Sequence, residues 1–180
     1  MTTAPAVRPM SSRDIQSVLA IQSRCYDKAK QESAASFLSK LISPLQTSFV
    51  SELGNDVVGY LVSVPVQDCC PLPLHDTSYS PPNQAVALYL HDLAVQPEAR
   101  SFGVAAALIN AYLSAMRSTN LSSGCLTAVN DSSQFWQRYG FREATPTGPD
   151  AVRLAPYGPG ARFMTLDVLH PTFHAHLAVA

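Results

Sequence analysis

Two groups of residues in this chain have types and spacing that could do chemistry. The first is Arg100-Ser101-Phe102-Gly103-Val104-Ala105, an RxxGxA pattern at the entry to a long apolar run. The opening N–H groups of a helix have no partner within it, and the helix dipole adds positive partial charge, so such an entry attracts anions. Gly103 lets a ligand approach the backbone closely, Ala105 keeps the path clear, and Arg100 offers a guanidinium to a phosphate. The second is His91, set among apolar neighbours in Tyr89-Leu90-His91-Asp92-Leu93-Ala94-Val95. An unperturbed imidazole titrates near neutrality and suits removal of a proton from an amine; a lone strand histidine can equally be a hydrogen-bonded structural residue. In a regular strand Tyr89, His91 and Leu93 share one face and Leu90, Asp92 and Ala94 the other, unless a bulge intervenes. Asp92 could orient His91 or contact a cationic group, and its place on the opposite face counts against the former.

These groups need a strand, a turn and a helix to hold them. Tyr89–Val95 has the branched and aromatic content of a mostly buried strand, and Gln96-Pro97-Glu98 breaks it. Ala107, Leu108, Ala111, Tyr112 and Ala115 then recur at helical spacing. Upstream, Val7-Arg8-Pro9 reads as a short strand, with Ser11 or Ser12 capping a helix that carries Ile15, Val18, Leu19 and Ile21 and ends near Tyr26. A second helix, 33–42, is expected to bury Phe37, Leu38 and Leu41, with Pro44 stopping it. Two strands, 47–53 and 57–66, flank the turn dipeptide Gly54-Asn55. Residues 65–83 hold five of the fourteen prolines without helical or strand period, a long loop of the functional or mobile kind. Downstream come a strand at 125–129, a short helix with Phe135 to Phe141, an irregular stretch at 144–160 and a last strand at 162–169. The expected whole is one mixed α/β domain over residues 1–180, its core about 7–169, with one sheet, helices on both faces and two loops able to build a substrate mouth.

Composition excludes several classes of function. Charged residues make up 14% of the chain and the net charge is −1, so no basic face asks for nucleic acid. No apolar run reaches membrane-spanning length, and Met1-Thr2-Thr3-Ala4-Pro5 does not read as a signal peptide. Cys25, Cys69, Cys70 and Cys125 lack zinc spacing, no metal is expected, and the thiols read as reduced in a cytoplasmic protein. His75 lies in the proline-rich loop, and His170, His174 and His176 follow the last strand, which leaves His91 as the histidine placed for chemistry.

LAVQPEARSFGVAAALI, Leu93 to Ile109, resembles the acetyl-CoA-binding strand–loop–helix of the GNAT superfamily of N-acyltransferases. VNDSSQFWQRYGF, Val129 to Phe141, resembles the strand end and helix that this superfamily places beside the thioester, and the order and spacing of the two blocks agree. The resemblance covers roughly Val7 to Leu169. It implies a mostly antiparallel central sheet flanked by helices, with strands splayed at the cofactor site. It also implies acetyl-CoA as co-substrate. Leu93, Ala94 and Val95 would offer the pantetheine a strand edge, with the Leu93 N–H facing the thioester carbonyl, and Arg100 to Ala105 would hold the pyrophosphate. Asn130 matches the position that commonly bonds the pantetheine, although a turn or helix-cap role fits it too. Ser133 and Trp136 fall near the thiol end. The superfamily's frequent acid, a tyrosine after the aromatic of this helix, is replaced by Trp136; Tyr139 either serves as acid on the same helical face or packs in the core. The segment TLYLHDLAV-like in this chain, Ala87 to Val95, is similar to the arylalkylamine N-acetyltransferase branch, where two histidines two apart relay the amine proton. His91 matches the second and Tyr89 occupies the first.

The expected reaction moves an acetyl group from acetyl-CoA to a primary amine of a small molecule, arylalkylamine or polyamine-like, by direct attack with His91 as base. Tyr26, Glu32, Tyr89 and the two long loops are candidate substrate walls. Glu32 could hold an ammonium, and otherwise sits solvated at a helix junction. The rivals are acetylation of a peptide or protein amine, and a non-catalytic acyl-CoA sensor. The chain is expected as monomer or homodimer, without nucleic acid or membrane partners.

Overall fold

The computed structural model describes residues 4–169; His170, His174, His176 and the first three residues lie outside the described part. Seven strands form one sheet: β1 (Ala6–Pro9), β2 (Phe49–Leu53), β3 (Asp56–Val66), β4 (Ala87–Val95), β5 (Ser123–Ala128), β6 (Arg142–Glu143) and β7 (Arg162–Asp167). Their order is β1-β2-β3-β4-β5-β7-β6. Every pairing is antiparallel except β4 with β5. That parallel pair needs a crossover, and α3 (Val104–Ser118) supplies it. The remaining helices are α1 (Ile15–Cys25), α2 (Ala34–Lys40), α4 (Ser133–Gln137) and α5 (Pro149–Leu154).

Alternation along the strands divides the core between the two sheet faces. On one, Leu108, Ile109, Tyr112, Leu113 and Met116 of α3 pack with Leu61, Leu88, Leu90, Leu126 and Met164. On the other, Ile15, Val18 and Ile21 of α1 and Phe37 of α2 meet Val50, Tyr60, Val62 and Ala94. Beyond them Val64, Tyr89, Cys125 and Phe163 are covered by loop residues Leu72 and Tyr79 and by Leu154. Helices therefore cover both faces, as expected.

Three local expectations are corrected. The second helix ends at Lys40, and Leu38 is 41% exposed while Ser36 and Lys40 are buried beside Phe37. The helix is rotated because Lys40 is drawn inward to Glu32, 3.0 Å from its Nζ. Ser11 caps a single 3-10 turn, Ser12–Asp14, ahead of α1 rather than α1 itself, and its N–H donates to the Asp14 carboxylate at 2.8 Å. The third concerns β4. Val62 pairs with Asp92 and Ser63 with Leu90, so one step on β3 spans two on β4 and His91 is the extra residue of a bulge. Leu90 and Leu93 consequently face the same α3 core. His91 and Asp92 both turn toward α1 and the segment before α2, where they meet Glu32 and Tyr26.

Candidate active site

Strands β4 and β5 stay paired only from Ala87–Ser123 to Leu90–Leu126. Beyond that β4 runs on to Val95 bonded to β3 alone, which leaves its other edge open. The Leu93 carbonyl accepts from the Tyr26 hydroxyl at 2.9 Å and the Val95 carbonyl from the Cys25 thiol at 3.3 Å, both outside the ladder. A strand residue directs its N–H and C=O to the same side, so the Leu93 and Val95 N–H groups face the splayed gap. The β4–β5 ladder ends one residue before the bulge at His91.

The turn after β4 is a 3-10 segment, Pro97–Phe102, and Gly103 then takes a left-handed φ of 75° to start α3. A Cβ on Gly103 would meet nothing within 4 Å, so the approach to the first N–H groups of α3 is open. Ser101, Phe102 and Gly103 are exposed, whereas Val104 is buried and offers only its backbone. Its side chain presses on Gly59 of β3, where a Cβ would lie 2.7 Å from Val104 Cγ1. Arg100 is exposed, reaching the Val95 carbonyl at 3.4 Å.

A cavity of about 390 Å³ joins these parts. Its wall includes β4 from Leu90 to Val95, Arg100 and Ala105 of the loop and helix, Leu126, Thr127 and Asn130 across the gap, and Phe135 and Trp136 of α4. From the α1 side come Cys25, Tyr26, Lys30 and Glu32, with Leu74 and Tyr157 from the two long loops. Tyr157 also donates to the Leu72 carbonyl at 2.7 Å, tying one loop to the other. Trp136 is 7% exposed, edge-on to Phe135 and Phe141. Asn130 stands exposed in a left-handed conformation, φ 53°, one residue ahead of Asp131 in the same region.

Two carboxyl groups at this wall are already engaged. Glu32, 5% exposed, is not the solvated junction residue the sequence suggests. Its Oε1 lies 3.0 Å from His91 Nε2 and accepts the His75 backbone N–H at 2.9 Å. Its Oε2 accepts from Lys40 Nζ at 3.0 Å and from the Ser36 hydroxyl. Burial alone would raise this carboxyl, but the hydrogen bond and charge of His91, the Lys40 ammonium and the Ser36 hydroxyl outweigh it and hold Glu32 well below the usual range. Asp92 is the opposite case. Burial pushes its carboxyl up, against hydrogen bonds from the Tyr26 and Tyr60 hydroxyls at 2.6 Å each. The Tyr26 oxygen has one proton but touches both Asp92 Oδ1 and the Leu93 carbonyl. That one proton serves both acceptors. His91 has a side chain 2% exposed, and its Nδ1 is buried with no partner among the described residues.

Some sequence-predicted site residues fall elsewhere. Tyr89 is 1% exposed, bonded to Thr127 Oγ1 at 2.8 Å, and forms core under the loops instead of substrate wall. Its place follows from strand alternation, which points it at Cys125 and Phe163. Tyr139 does not line the cavity; its ring sits 5.3 Å from Phe135, and the short α4 turns it away from the gap. Ser132, not Ser133, reaches the wall. Missed from the sequence were Lys40, Leu74 and Tyr157. Tyr157 did leave a signal, being the sole aromatic residue in a Pro- and Gly-rich stretch between Phe141 and Phe163.

A parallel strand pair that splays beside a helix start with open N–H groups, and a buried imidazole at the splay, define an acyl-CoA-dependent transferase. Residues 15–141 match the model of the acetyltransferase (GNAT) family, and the chain belongs to that family. It is an acyl-CoA N-acyltransferase with acetyl-CoA as co-substrate, and the free β4 edge and the open cradle at Gly103 fit that molecule. Similar solved structures share the fold. Ard1 from Thermoplasma volcanium superposes with a TM-score of 0.69 at 22% identity, over 93% of this chain and 100% of that one. The ribosomal-protein-S18-alanine N-acetyltransferase from Escherichia coli gives 0.66 at 16%, over 91% and 94%. Arabidopsis thaliana Naa50, solved with the bisubstrate analogue CoA-Ac-MVNAL, gives 0.64 at 11%, over 91% and 98%. No protein of curated function matches the sequence. Among the described residues, no helix is long and apolar enough to cross a membrane, and no group of three or more His, Cys, Asp or Glu side chains could hold a metal ion.

Proposed function

We propose that the chain is a single N-acetyltransferase domain acting in the cytoplasm on the primary amine of a small molecule with an apolar or aromatic body, with His91 as the base. The observation that carries this reading is the cavity itself. It joins Arg100 and Ala105 and the free β4 edge to the strand bearing His91, and Leu74 and Tyr157 of the two long loops line it. Walls contributed by both loops favour a small acceptor over an extended peptide. The engaged state of Glu32 and Asp92 also leaves a polyamine's second charge without a counter-ion, which favours a monoamine of the arylalkylamine kind. The similar structures that act on ribosomal protein S18 or bind a peptide bisubstrate keep a peptide acceptor as the second reading.

Acetyl-CoA supplies the activated acyl carbonyl and a thiolate leaving group. The chain's residues do the rest. The Leu93 N–H stands where it can donate to the carbonyl as charge develops, and the N–H groups opening α3, with Arg100, meet the pyrophosphate. The amine arrives as an ammonium with a solution pKa of about 10, so at pH 7 the free base costs roughly 4 kcal/mol. His91 takes that proton directly or through water. The second nitrogen proton leaves with the thiolate as free CoA thiol, and Tyr139, which follows α4, does not line the cavity to deliver it.

Thiol release from acetyl-CoA with a panel of arylalkylamines, polyamines and N-terminal peptides tests the substrate class. Turnover confined to peptides would overturn the small-amine reading. His91→Gln should lower kcat by roughly 10²–10⁴-fold with acetyl-CoA affinity kept, the loss shrinking as pH rises and free amine becomes abundant. A wild-type rate and ascending limb in that variant would remove His91 from the mechanism.

A further inference from the structure

We propose that Glu32, clamped by Lys40 and Ser36, is a positioning residue that fixes the tautomer of His91 and makes Nδ1 the atom that takes the amine proton. The proposal rests on the reading of His91 as base. An ionised carboxylate accepts hydrogen bonds at about four lone-pair sites and donates none. Glu32 meets four groups: the His75 N–H and His91 Nε2 at Oε1, Lys40 Nζ and the Ser36 hydroxyl at Oε2. It has no site left for a substrate ammonium, so it neither holds the amine nor receives its proton. Because Glu32 can only accept, Nε2 of His91 must carry the hydrogen between them. A neutral imidazole has one N–H, so Nδ1 holds the bare lone pair, and Nδ1 has no partner among the described residues.

Lys40 adds to His91 in holding Glu32 ionised in the interior. Its side chain is 1% exposed, and Nζ lies 2.6 Å from Ser36 Oγ and 3.1 Å from the Asp76 carbonyl besides its 3.0 Å contact with Glu32. In its neutral form the imidazole faces a carboxylate that the Lys40 ammonium already contacts. During the reaction an amine N–H bond breaks, the electron pair stays on nitrogen, and the proton bonds to Nδ1. Nε2 keeps its own proton on Glu32, which now stabilises an imidazolium, and Nδ1 returns its proton to solvent at the end of the cycle. The His75 N–H and the Asp76 carbonyl belong to the proline-rich loop that also carries Leu74 into the wall. Seating of that loop and orientation of the base are thus one arrangement.

The test is imidazole ¹⁵N NMR of the full chain, with the His91 signals assigned by their loss in His91→Gln. The expected wild-type spectrum of the neutral ring has Nε2 protonated and Nδ1 bare. Glu32→Gln/Lys40→Met removes both buried charges at once. It should blur His91 into a tautomer mixture and lower kcat roughly 10- to 100-fold, leaving KM for acetyl-CoA within about twofold. A protonated Nδ1 in the wild type, or a double variant with wild-type tautomer and kcat, would overturn the proposal. If the double variant does not fold, the wild-type spectrum decides alone. A protonated Nδ1 alongside an inactive His91→Gln removes only the role of Glu32; an active His91→Gln removes the base itself.

Discussion

At the scale of single residues, the site is governed by where protons sit rather than by how many charged groups are present. Glu32 and Asp92 are both carboxyl groups at the cavity wall, yet one is held ionised by an ammonium and an imidazole and the other is raised by burial between two tyrosine hydroxyls. Asparagine keeps the shape of the side chain and an amide oxygen that can accept one of the two tyrosine hydroxyls. Asp92→Asn should therefore cost less in urea unfolding than Asp92→Ala, which strands both hydroxyls and should cost about 2–4 kcal/mol. The sign of the pH dependence follows from the raised value. The Asp92 contribution to stability is full below the unfolded pKa of about 4 and falls away as pH climbs from there to the folded value. Wild type should show that decline and Asp92→Asn should not; a wild type that outlasts Asp92→Asn by more at high pH than at low would mean that Asp92 is ionised in the fold.

At the scale of elements, the strand–loop–helix that binds acetyl-CoA is legible in the sequence, and its setting on the sheet is not. Arg100 to Ala105 announce themselves by small residues at a helix start, and β4, α3 and β5 by their periodicity. The bulge at His91 has no such mark, because a single unpaired residue in a strand arises from the partner's register. Without it the expected faces of Asp92 and Leu93 were exchanged. Lys40 was hidden for a related reason: only the loop at 75–76, far along the chain, closes over it and makes its burial tolerable. Tyr89 and Tyr139 were drawn into the site by sequence spacing alone, and the sheet and the short α4 turn them into core and flank. Gly59 also escaped notice, since a strand glycine seldom declares what approaches it. A Cβ there would stand 2.7 Å from Val104 Cγ1, 3.2 Å from the Ala94 carbonyl and 3.3 Å from Val95 Cγ2. Gly59→Ala should thus push out the first turn of α3, cost about 1–3 kcal/mol, and raise KM for acetyl-CoA with little change in kcat. Denaturant unfolding and steady-state kinetics check both halves; unchanged acetyl-CoA kinetics in a destabilised variant would show that Val104 yields without moving the cradle.

At the scale of the whole molecule, the acceptor half of the site hangs from the edge of the sheet. Residues 26 to 32, which carry Tyr26, Lys30 and Glu32, follow α1, and α1 is entered through Asp14. Arg8 of β1 grips Asp14 with both terminal nitrogens, at 2.9 and 2.7 Å, and reaches Glu52 of β2 at 2.9 Å through Nε. Asp14 is 6% exposed, and the Arg8 guanidinium, opposed by burial and helped by the Ser11 N–H and hydroxyl, brings its carboxyl down to about 2. A carboxyl lowered on folding contributes stability above its unfolded pKa, and that contribution is lost as pH falls through the folded value. For Asp14 the window runs from about 4 down to about 2. Glu32, lowered likewise, adds to the loss in the same direction. Wild type should accordingly unfold more easily as pH drops through this range. Asp14→Asn keeps the side-chain shape but gives up the charged bidentate contact, and should cost about 1–3 kcal/mol at pH 7. Because protonation removes the same contact from wild type, the two proteins should converge in stability as pH approaches 2. Urea unfolding at a series of pH values measures this directly. A gap between them that stays constant down the series would mean that the Arg8–Asp14 contact carries no stability of its own, and that α1 is held to the sheet by its apolar face of Ile15, Val18 and Ile21 alone.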